Sequence, residues 1–262
     1  MLLLEGPKLM KSPITRIGSP TSDVSRLIMR GRDVLTDILG KMTFSEAFYF
    51  IVTGRQIERS KLPVMDACMI VLMDHGITPT AMVARLIADS LPAQPQVAIA
   101  AGTMMVGEKF VGTMTGMGSL LLEGVASGKE PRTWARETVE SAAKIKKRLP
   151  GFGHPYYHPT DPRTVRLMEI ARTHALDGAH IALVHILSEE LDRVSGRHLT
   201  LNVTGALGAL LCELGFPAAA MRGLAVVSRA AGLVAHTVEE ASEPISPALM
   251  EFAGEIEYRN PD

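Results

Sequence analysis

The amino-acid sequence predicts an all-α protein. Apolar runs of helical length recur through the 262 residues, and several begin at a capping residue or at a proline in the first helical turn. Thr43 and Glu46 stand three residues apart, which is the spacing of a capping box at a helix start. No stretch shows the sustained apolar and polar alternation that is typical of a half-buried strand. We therefore expect helices to build the core.

The individual helices follow from start and stop signals along the chain. Residues 1–22 are rich in Pro, Ser and Thr and are expected to form an irregular surface arm. Gly54 ends the first helix, Pro79 stands in the first turn of the third, and the ninth begins from Asn202. The predicted helices cover residues 44–52, 62–73, 79–90, 96–106, 113–126, 131–148, 164–174, 179–194, 203–214 and 217–240.

These helices are expected to form two domains of unequal size. Residues 1–163 and 217–262 would form a large helical domain, and residues 164–216 a smaller helical domain inserted into it. Gly112, Gly116 and Gly118 lie among Met and Leu residues, so the helix at 113–126 is expected to approach a neighbour closely. The cleft between the domains would be lined by residues 149–163.

Composition excludes several classes of protein. Hydrophobic residues make up 47% of the chain and the net charge is −1, as in a soluble globular protein. The chain has no basic stripe for nucleic acid, no apolar run as long as a membrane span, and too short an apolar start for a signal peptide. Cys68 and Cys212 lie in apolar helical runs, which suits a reducing compartment. We expect a cytoplasmic protein that binds neither nucleic acid nor membrane.

The segment 149–163, LPGFGHPYYHPTDPR, is the strongest candidate for a functional loop. Its proline content is incompatible with a core helix, and its glycines let the backbone approach a ligand closely. His154 can act as an acid or a base near neutral pH, and Arg163 offers a planar fork for a carboxylate. A plain surface turn between two helices is the alternative interpretation.

Other polar residues at helix ends are expected to converge on this loop. His75 follows one apolar helix, Thr204 opens another, and Arg229 lies on a helix of small apolar residues. A buried guanidinium without a partner is costly, so Arg229 needs either a carboxylate ligand or an internal salt bridge. Both interpretations are open. A di- or tricarboxylate would satisfy the first.

Other chemistries find less support. His154, His158 and Asp161 superficially resemble a metal-ligand set, but prolines at 155 and 159 preclude a helical HxxxH face, so no metal is expected. No strand–GxSxG–helix elbow for a serine hydrolase is present. The basic residues at the end of the predicted sixth helix form either a solvated helix end or a patch that steers phosphate, namely Lys144, Lys146, Lys147 and Arg148. Four other histidines have no carboxylate at motif spacing and are expected to be surface or packing residues, namely His174, His180, His185 and His198.

Five ordered motifs resemble the citrate synthase superfamily, and more closely its citryl-CoA lyase type. They read VLMDHGITPTAMVARLIAD, VGEKFVGTM, LPGFGHPYYHPTDPR, LNVTGALGALLCELGFP and AVVSRAAGLVAHTVEE. The likeness runs from about Phe44 to the terminal EYRNPD segment. It implies an all-α fold, coenzyme A in the form of an acyl-CoA substrate or product, and a homodimer or a higher homo-oligomer. The reaction it implies is the reversible formation of a carbon–carbon bond between acetyl-CoA and a 2-oxo acid.

The resemblance also implies a role for each matching residue. His75 would bind the oxaloacetate-like part of the substrate, and His154 would contact its carbonyl or hydroxyl oxygen and act as the base in cleavage. Arg163 and Arg229 would clamp the carboxylates, and Arg259 would reach into the partner subunit's site. The backbone that would cradle the CoA adenine is that of Leu149, Pro150, Gly151, Phe152 and Gly153.

Two departures from the family pattern bear on the reaction. Phe110 stands where synthases have the histidine of GPLHGG, and a GDRFGG-like segment is typical of lyases. Thr204 replaces the aspartate of the NVDG motif, and a threonine hydroxyl is not a base at neutral pH, although it can hydrogen-bond an enolate or a water. In addition, Pro155 replaces the arginine that usually follows the loop histidine.

The missing aspartate leaves three explanations open. Glu108, or a water held by Thr204, exchanges the proton; the acyl-CoA substrate differs; or the chain binds CoA esters without turning them over. We expect a lyase that cleaves citryl-CoA or a related 3-hydroxy-3-carboxyacyl-CoA to acetyl-CoA and a 2-oxo acid. A condensing enzyme and a non-catalytic CoA-ester-binding paralogue are the alternatives.

Overall fold

A computed structural model describes residues 14–107 and 111–261 and divides the chain into two compact units, one ending at Ile57 and the other beginning at Glu58. The first unit contains a hairpin of two short antiparallel strands, β1 (Ile28–Met29) and β2 (Arg32–Asp33). A π-helical segment, Val34–Ile38, and helix α1 (Phe44–Thr53) follow the hairpin. The predicted capping box of α1 is confirmed, because Thr43 and Glu46 exchange both of its hydrogen bonds.

Neither the hairpin nor the π-helical segment of this unit was predicted from the sequence. Each strand has only two residues, which is too short for an alternating pattern to show. Arg30 and Gly31 turn the chain with φ values of +51° and +81°, as expected for a two-residue hairpin loop. The Arg30 side chain donates from Nε to the Ile51 carbonyl at 2.8 Å and so ties the hairpin to the end of α1.

Helices are the regular elements of the second unit in the part that the structure describes, as the sequence predicts, and one isolated bridge joins Phe152 to Leu201. A single 3₁₀ turn, Arg59–Lys61, precedes the α-helices. The α-helices are α2 (Leu62–Met73), α3 (Pro79–Ser90), α4 (Pro95–Met104), α5 (Thr113–Ala126), α6 (Pro131–Lys144), α7 (Pro162–Thr173), α8 (Ala179–Ser195), α9 (Val203–Glu213), α10 (Ala218–Ser242) and α11 (Ser246–Gly254).

The largest differences from the predicted helices concern α6 and α11. The helix predicted for 131–148 ends at Lys144, and Lys146 adopts a φ of +53°, which no helix continues through. Helix α11 was not predicted, although Pro247 in its first turn could have indicated it. The carboxylate of buried Glu240 accepts hydrogen bonds from the backbone of Ile245 and Ser246 at the start of this helix. Because Glu240 belongs to α10, the residues next to the helix start do not indicate this cap.

Helices α9 and α10 form the centre of the second unit. Every residue of α9 from Val203 to Cys212 is buried, and α10 packs against α2, α3, α4, α5 and α9. By length and composition α10 could cross a membrane, because its mean hydropathy is 1.3. It was not predicted as a membrane span from the sequence because polar residues interrupt its apolar runs. A central helix of a globular protein passes the same test, and its packing against five helices is that of a core helix.

Small residues set the spacing between α5 and its neighbours, as predicted. A methyl group on Gly118 would lie 2.6 Å from the Met221 sulfur, and one on Gly208 would lie 2.9 Å from Met117. These positions therefore require glycine for the observed packing of α5 on α9 and α10. The predicted division into 1–163 with 217–262 and 164–216 stays a prediction.

A buried ion-pair network joins three helices at the far end of α10. The Arg85 guanidinium of α3 is 1% exposed and pairs with Glu239 and Glu240, and it donates to the Glu243 carbonyl at 2.7 Å. Burial alone would lower the pKa of Arg85, but its two carboxylate partners raise it. All three nitrogens of the Arg85 guanidinium thus have an acceptor.

Candidate active site

The loop 149–163 is bound along its backbone to the start of α9. Gly153 donates to the Thr200 carbonyl at 2.7 Å, and the Asn202 backbone donates to the Gly151 carbonyl at 3.0 Å. The Asn202 side chain donates to the Gly153 carbonyl at 2.8 Å. A methyl group on Gly151, whose φ is +80°, would lie 2.6 Å from the Gly205 Cα. The start of the loop, residues 151–153, is therefore fixed against α9, whereas residues 155–160 lie at the surface.

Asp161 holds Arg163 in position. Its carboxylate is 1% exposed and accepts from Arg163 Nε at 2.9 Å and Nη2 at 2.8 Å, as well as from the backbone of Arg163 and Val203 at 3.0 Å each. Burial would raise the pKa of Asp161, but the hydrogen bonds and charge of Arg163 outweigh it and lower that pKa. The sequence analysis considered Asp161 only as a metal ligand; its position at the helix start, two residues before Arg163, could have indicated this capping role.

His154 faces donors at both ring nitrogens. Its Nδ1 lies 3.0 Å from each of the backbone N–H groups of Tyr156 and Tyr157. Arg163 Nη2, which can only donate, lies 3.1 Å from Nε2. Partial burial and the Arg163 charge lower the pKa of His154, so the ring is neutral near pH 7. A neutral imidazole accepts at only one nitrogen, so the ring can satisfy one of these two contacts at a time, and a ligand oxygen that binds Arg163 would decide which.

Tyr157 packs over both of these groups. Its ring centroid lies 4.6 Å from that of His154, and the Arg163 guanidinium carbon lies 5.0 Å from the ring. The Tyr157 carbonyl accepts from Thr200 Oγ1 at 3.1 Å, which holds the residue against the α9 side. Tyr157 therefore orients His154 with its backbone and Arg163 with its ring.

His75 lies in the turn that follows α2, beside the two arginines. Partial burial, followed by the positive charges of Arg229 and Arg163, lowers the pKa of His75 to about 4, against the opposing effect of Asp74 and Asp161. The side chain keeps access to solvent, yet it is neutral at physiological pH. The structure thus brings His75, Arg163 and Arg229 within electrostatic reach of one another, and His154 joins them through Arg163.

Arg229 is the buried cation of this cluster. It lies on α10 and is 4% exposed. Burial lowers the pKa of Arg229, and the negative charge of Asp74 opposes this effect. Within residues 14–107 and 111–261, no carboxylate lies within salt-bridge distance of Arg229 and no group accepts a hydrogen bond from it. The internal salt bridge that was the alternative interpretation is therefore not formed among these residues. The arrangement favours a carboxylate ligand.

Thr204 is buried in the first turn of α9, and its hydroxyl is already engaged. It donates to Asn202 Oδ1 at 2.7 Å, and it lies 2.6 Å from the Thr113 hydroxyl at the start of α5. A hydroxyl has one proton, so Thr113 must be the donor of the second bond. Thr204 consequently has no proton left for an enolate in this arrangement. Glu108 and Phe110, the other residues considered for this chemistry, lie outside the described residues.

Other predicted site residues lie beside the cluster or away from it. Gly116 of α5 packs under Pro150, where an added methyl group would lie 3.3 Å from the proline ring. Leu149, Phe152 and Gly153 are half-buried. Arg259 is exposed and pairs with Glu257 at 2.8 Å, so within one chain it does not join His75 and Arg229. The roles assigned to these residues stay predictions.

Two of the remaining histidines have partners that sequence spacing did not indicate. His198 Nδ1 lies 2.6 Å from Asp192 Oδ2, and its Nε2 donates to the Pro159 carbonyl of the loop at 2.9 Å. His180 Nδ1 lies 3.3 Å from Glu213, at an angle that makes no hydrogen bond. Neither pair forms a metal site, and no group of three or more His, Cys, Asp or Glu in the described chain is placed to hold a metal.

The sequence and the structure are similar to those of known proteins. Residues 40–248 match the family "citrate synthase, C-terminal domain". The citryl-CoA lyase of Hydrogenobacter thermophilus is similar in structure with a TM-score of 0.85 and 32% identity, over 96% of each chain. The ATP citrate lyase of Methanothrix soehngenii, in complex with citrate and coenzyme A, has a TM-score of 0.75 and 18% identity over 99% of this chain and 43% of its own. The citrate synthase of Synechocystis sp. is 24% identical over 247 residues, 91% of this chain and 60% of its own length.

The all-α fold and the match over residues 40–248 define a protein of the citrate synthase type. The chain belongs to the citrate synthase family. The family and the fold expected from the sequence motifs are thereby confirmed. The chain spans about half the length of the curated relatives it matches, between 49% and 60%.

Proposed function

We propose that this protein cleaves citryl-CoA, or a related 3-hydroxy-3-carboxyacyl-CoA, to acetyl-CoA and a 2-oxo acid. The observation that carries the proposal is Arg229, a buried guanidinium without an acceptor in the described chain, next to neutral His75 and to Arg163. The citryl-CoA lyase likeness, which extends over 96% of both chains, supports the same reaction class.

The cation cluster suits a substrate with more than one carboxylate. Arg229 would bind one carboxylate as a charge partner that offsets the cost of its burial. Arg163, held rigid by Asp161, would bind a second with donors that Asp161 does not use. His75 is neutral and can therefore donate or accept a hydrogen bond without adding a third positive charge.

His154 would face the oxygen at the carbon where the bond breaks. In cleavage a base removes the proton of the tertiary hydroxyl, and the bond breaks to a ketone and a thioester enolate. For His154 to be that base, Nε2 must carry no proton. The proton of the neutral ring must then lie on Nδ1, which two backbone N–H groups face in this structure. The base role assigned from the resemblance therefore requires a rearrangement of residues 156–157.

The tautomer with the proton on Nε2 would suit the condensing enzyme, which is the second candidate. In that form His154 would donate to the carbonyl oxygen of a 2-oxo acid and stabilise the alkoxide formed in the synthesis direction, while Nδ1 accepts from the backbone. Both directions use the same groups, so the proposal extends to a reversible reaction. A non-catalytic paralogue would bind the same ligands through the same cation cluster and would differ only in the absence of turnover.

The coenzyme A and the partner subunit complete the proposed site. The backbone of residues 149–153 would cradle the adenine, and the basic residues that follow α6 would attract its phosphates. Arg259 would reach the site of a second copy in a homodimer or a higher homo-oligomer. No metal is part of this mechanism, and a cytoplasmic location remains our expectation.

The test is direct. Purified protein is incubated with (3S)-citryl-CoA, and oxaloacetate is followed with coupled malate dehydrogenase. Cleavage that falls by at least about 10²-fold in His154→Ala is the expected result. The matched control is His185→Ala, an exposed histidine of α8. Absence of cleavage with citryl-CoA still bound would overturn the lyase proposal for that substrate, and release of free CoA from acetyl-CoA plus oxaloacetate would favour the condensing enzyme.

A further inference from the structure

His236 and Asp74 join the two elements that carry His75 and Arg229. Asp74 is the last residue before His75, at the end of α2, and His236 lies on α10, two turns beyond Arg229. His236 Nε2 lies 2.9 Å from Asp74 Oδ1, and Asp74 Oδ2 accepts from the Gly76 backbone at 2.8 Å. The carboxylate thus brackets His75, with one oxygen on the turn and the other on α10.

One face of α10 supports this turn. Arg229, Gly232 and His236 are spaced by three and four residues and therefore lie on the same side of the helix. A methyl group on Gly232 would lie 2.0 Å from the Met73 carbonyl oxygen, so the end of α2 rests directly on the α10 backbone there. Below this contact Arg229 acts on His75, and above it His236 binds Asp74.

The chemistry of the His236 ring fixes the direction of the bond. Asp74 is ionised, because hydrogen bonds from Gly76 and His236 lower its pKa against the opposing effect of burial. A carboxylate only accepts, so His236 Nε2 donates. The His236 side chain is 12% exposed, and its Nδ1 is buried without a hydrogen-bond partner. One ring nitrogen is left unsatisfied, which identifies the bond to Asp74 as the ring's polar function.

We infer that His236 is a positioning residue, which holds the His75 turn in register with Arg229 through Asp74. The inference rests on the proposed function for the ligand that the two residues share. A dicarboxylate bridging His75 and Arg229 requires the α2 turn and α10 to keep their spacing. Removing the His236 donor leaves the backbone contact at Gly232 but frees the Asp74 carboxylate to move, and the His75 turn moves with it.

The experiment compares His236→Leu with His236→Gln in the full chain. Glutamine places an amide donor near the position of Nε2, whereas leucine fills similar space without a donor. Oxaloacetate and free CoA are titrated separately by calorimetry, and the His75 ring is titrated by NMR. The matched control is His185→Leu on α8. Thermal unfolding of each variant reports whether the fold is retained.

We expect His236→Leu to weaken oxaloacetate binding by about tenfold to 10²-fold with CoA binding unchanged. The pKa of His75 should rise from about 4 toward its ordinary range as the turn moves away from Arg229. His236→Gln and His185→Leu should keep wild-type values. Equal loss of both ligands, an unmoved His75 titration in His236→Leu, or a glutamine variant that behaves like leucine would overturn the inference.

The two readouts separate this inference from the proposed function. If the wild-type protein does not bind oxaloacetate, the proposed function fails for that acid. The His75 titration, which needs no ligand, still decides whether His236 positions the turn.

Discussion

Both carboxylate oxygens of Asp161 accept hydrogen bonds from Arg163: Arg163 Nε donates to Oδ1 at 2.9 Å and Nη2 donates to Oδ2 at 2.8 Å. The same carboxylate caps α7 and accepts from the Val203 backbone, so one buried group ties the functional loop to two helices. Arg163 in turn lies 3.1 Å from the His154 ring. The position of both predicted site residues therefore depends on Asp161, whose two oxygens are both engaged within the protein.

Asp161→Asn is expected to weaken both the fold and ligand binding. The amide removes the negative charge and turns one acceptor into a donor facing Arg163 or Val203, which should lower the free energy of unfolding by about 1–3 kcal/mol. Urea unfolding and oxaloacetate titration measure the two effects. Asp89→Asn, an exposed position on α3, is the control. Wild-type oxaloacetate affinity in Asp161→Asn would contradict the positioning role.

The His75 titration should be shifted far to the acid side. Burial and the charges of Arg229 and Arg163 lower its pKa to about 4, and the unfolded chain has the ordinary value of about 6.5. The unfolded state therefore binds the extra proton between these values, so the stabilising contribution is present above pH 6.5 and is lost as the pH falls toward 4. NMR of the ring measures the pKa, and urea unfolding of wild type and His75→Gln measures the stability. A ring that titrates near 6.5 would refute the clustering of charges.

His198 should stabilise the protein in the opposite pH direction. Its bond to Asp192, and then its bond to the Pro159 carbonyl, raise its pKa in the folded state. The stabilising contribution is present below the unfolded pKa of about 6.5 and is lost as the pH rises through the folded value. The difference in unfolding free energy between wild type and His198→Gln should therefore shrink from pH 6 to pH 9. A difference that stays constant over this range would argue against a charged His198.

Thr204→Asp should restore proton exchange at the acetyl group. The new carboxylate would sit in the first turn of α9, where the helix dipole favours it, and could accept from the Thr113 hydroxyl. We expect exchange of the acetyl-CoA methyl protons with D₂O to accelerate by about 10²-fold or more, measured by NMR. Thr204→Asn has the same shape without the charge and should show no gain. Equal rates in the two variants would mean that Thr204 does not occupy the proton-transfer position.

Arg259 should act across the subunit interface. It is exposed in its own chain, so Arg259→Ala is expected to lower citryl-CoA cleavage without unfolding the protein. Mixing inactive Arg259→Ala and His154→Ala chains would regenerate one complete site in each mixed dimer. About a quarter of wild-type activity should then return, because half of the dimers are mixed and one of their two sites is intact. A mixture no more active than its parts would contradict a shared site.

Much of the helical framework was predictable because its signals are local. The capping box of Thr43 and Glu46, the prolines that open α3 and α6, and Asn202 before α9 each act within one helical turn. The hairpin at residues 28–33 was missed because two-residue strands carry no period. Helix α11 was missed because the group at its start, Glu240, belongs to the preceding helix.

The candidate site was predictable in its residues and not in its connections. The motifs supplied His75, His154, Arg163 and Arg229. The positive charges of both arginines lower the pKa of His75, as expected for groups that share one site. The groups that hold them were found only in three dimensions. His236 is 162 residues from Asp74, and Val203 is 42 from Asp161, separations across which sequence spacing carries no signal.

The sequence by itself determined the all-α class, the helix starts and the residue types of a carboxylate-binding site, because each depends on neighbours within a few positions. The tertiary structure decided that both ring nitrogens of His154 face donors, that the Thr204 hydroxyl is already engaged, and that Arg229 is buried without an acceptor among the described residues. Hydrogen-bond partners and desolvation are set by groups that meet only when the helices pack, and these effects control the pKa values and donors on which the chemistry depends.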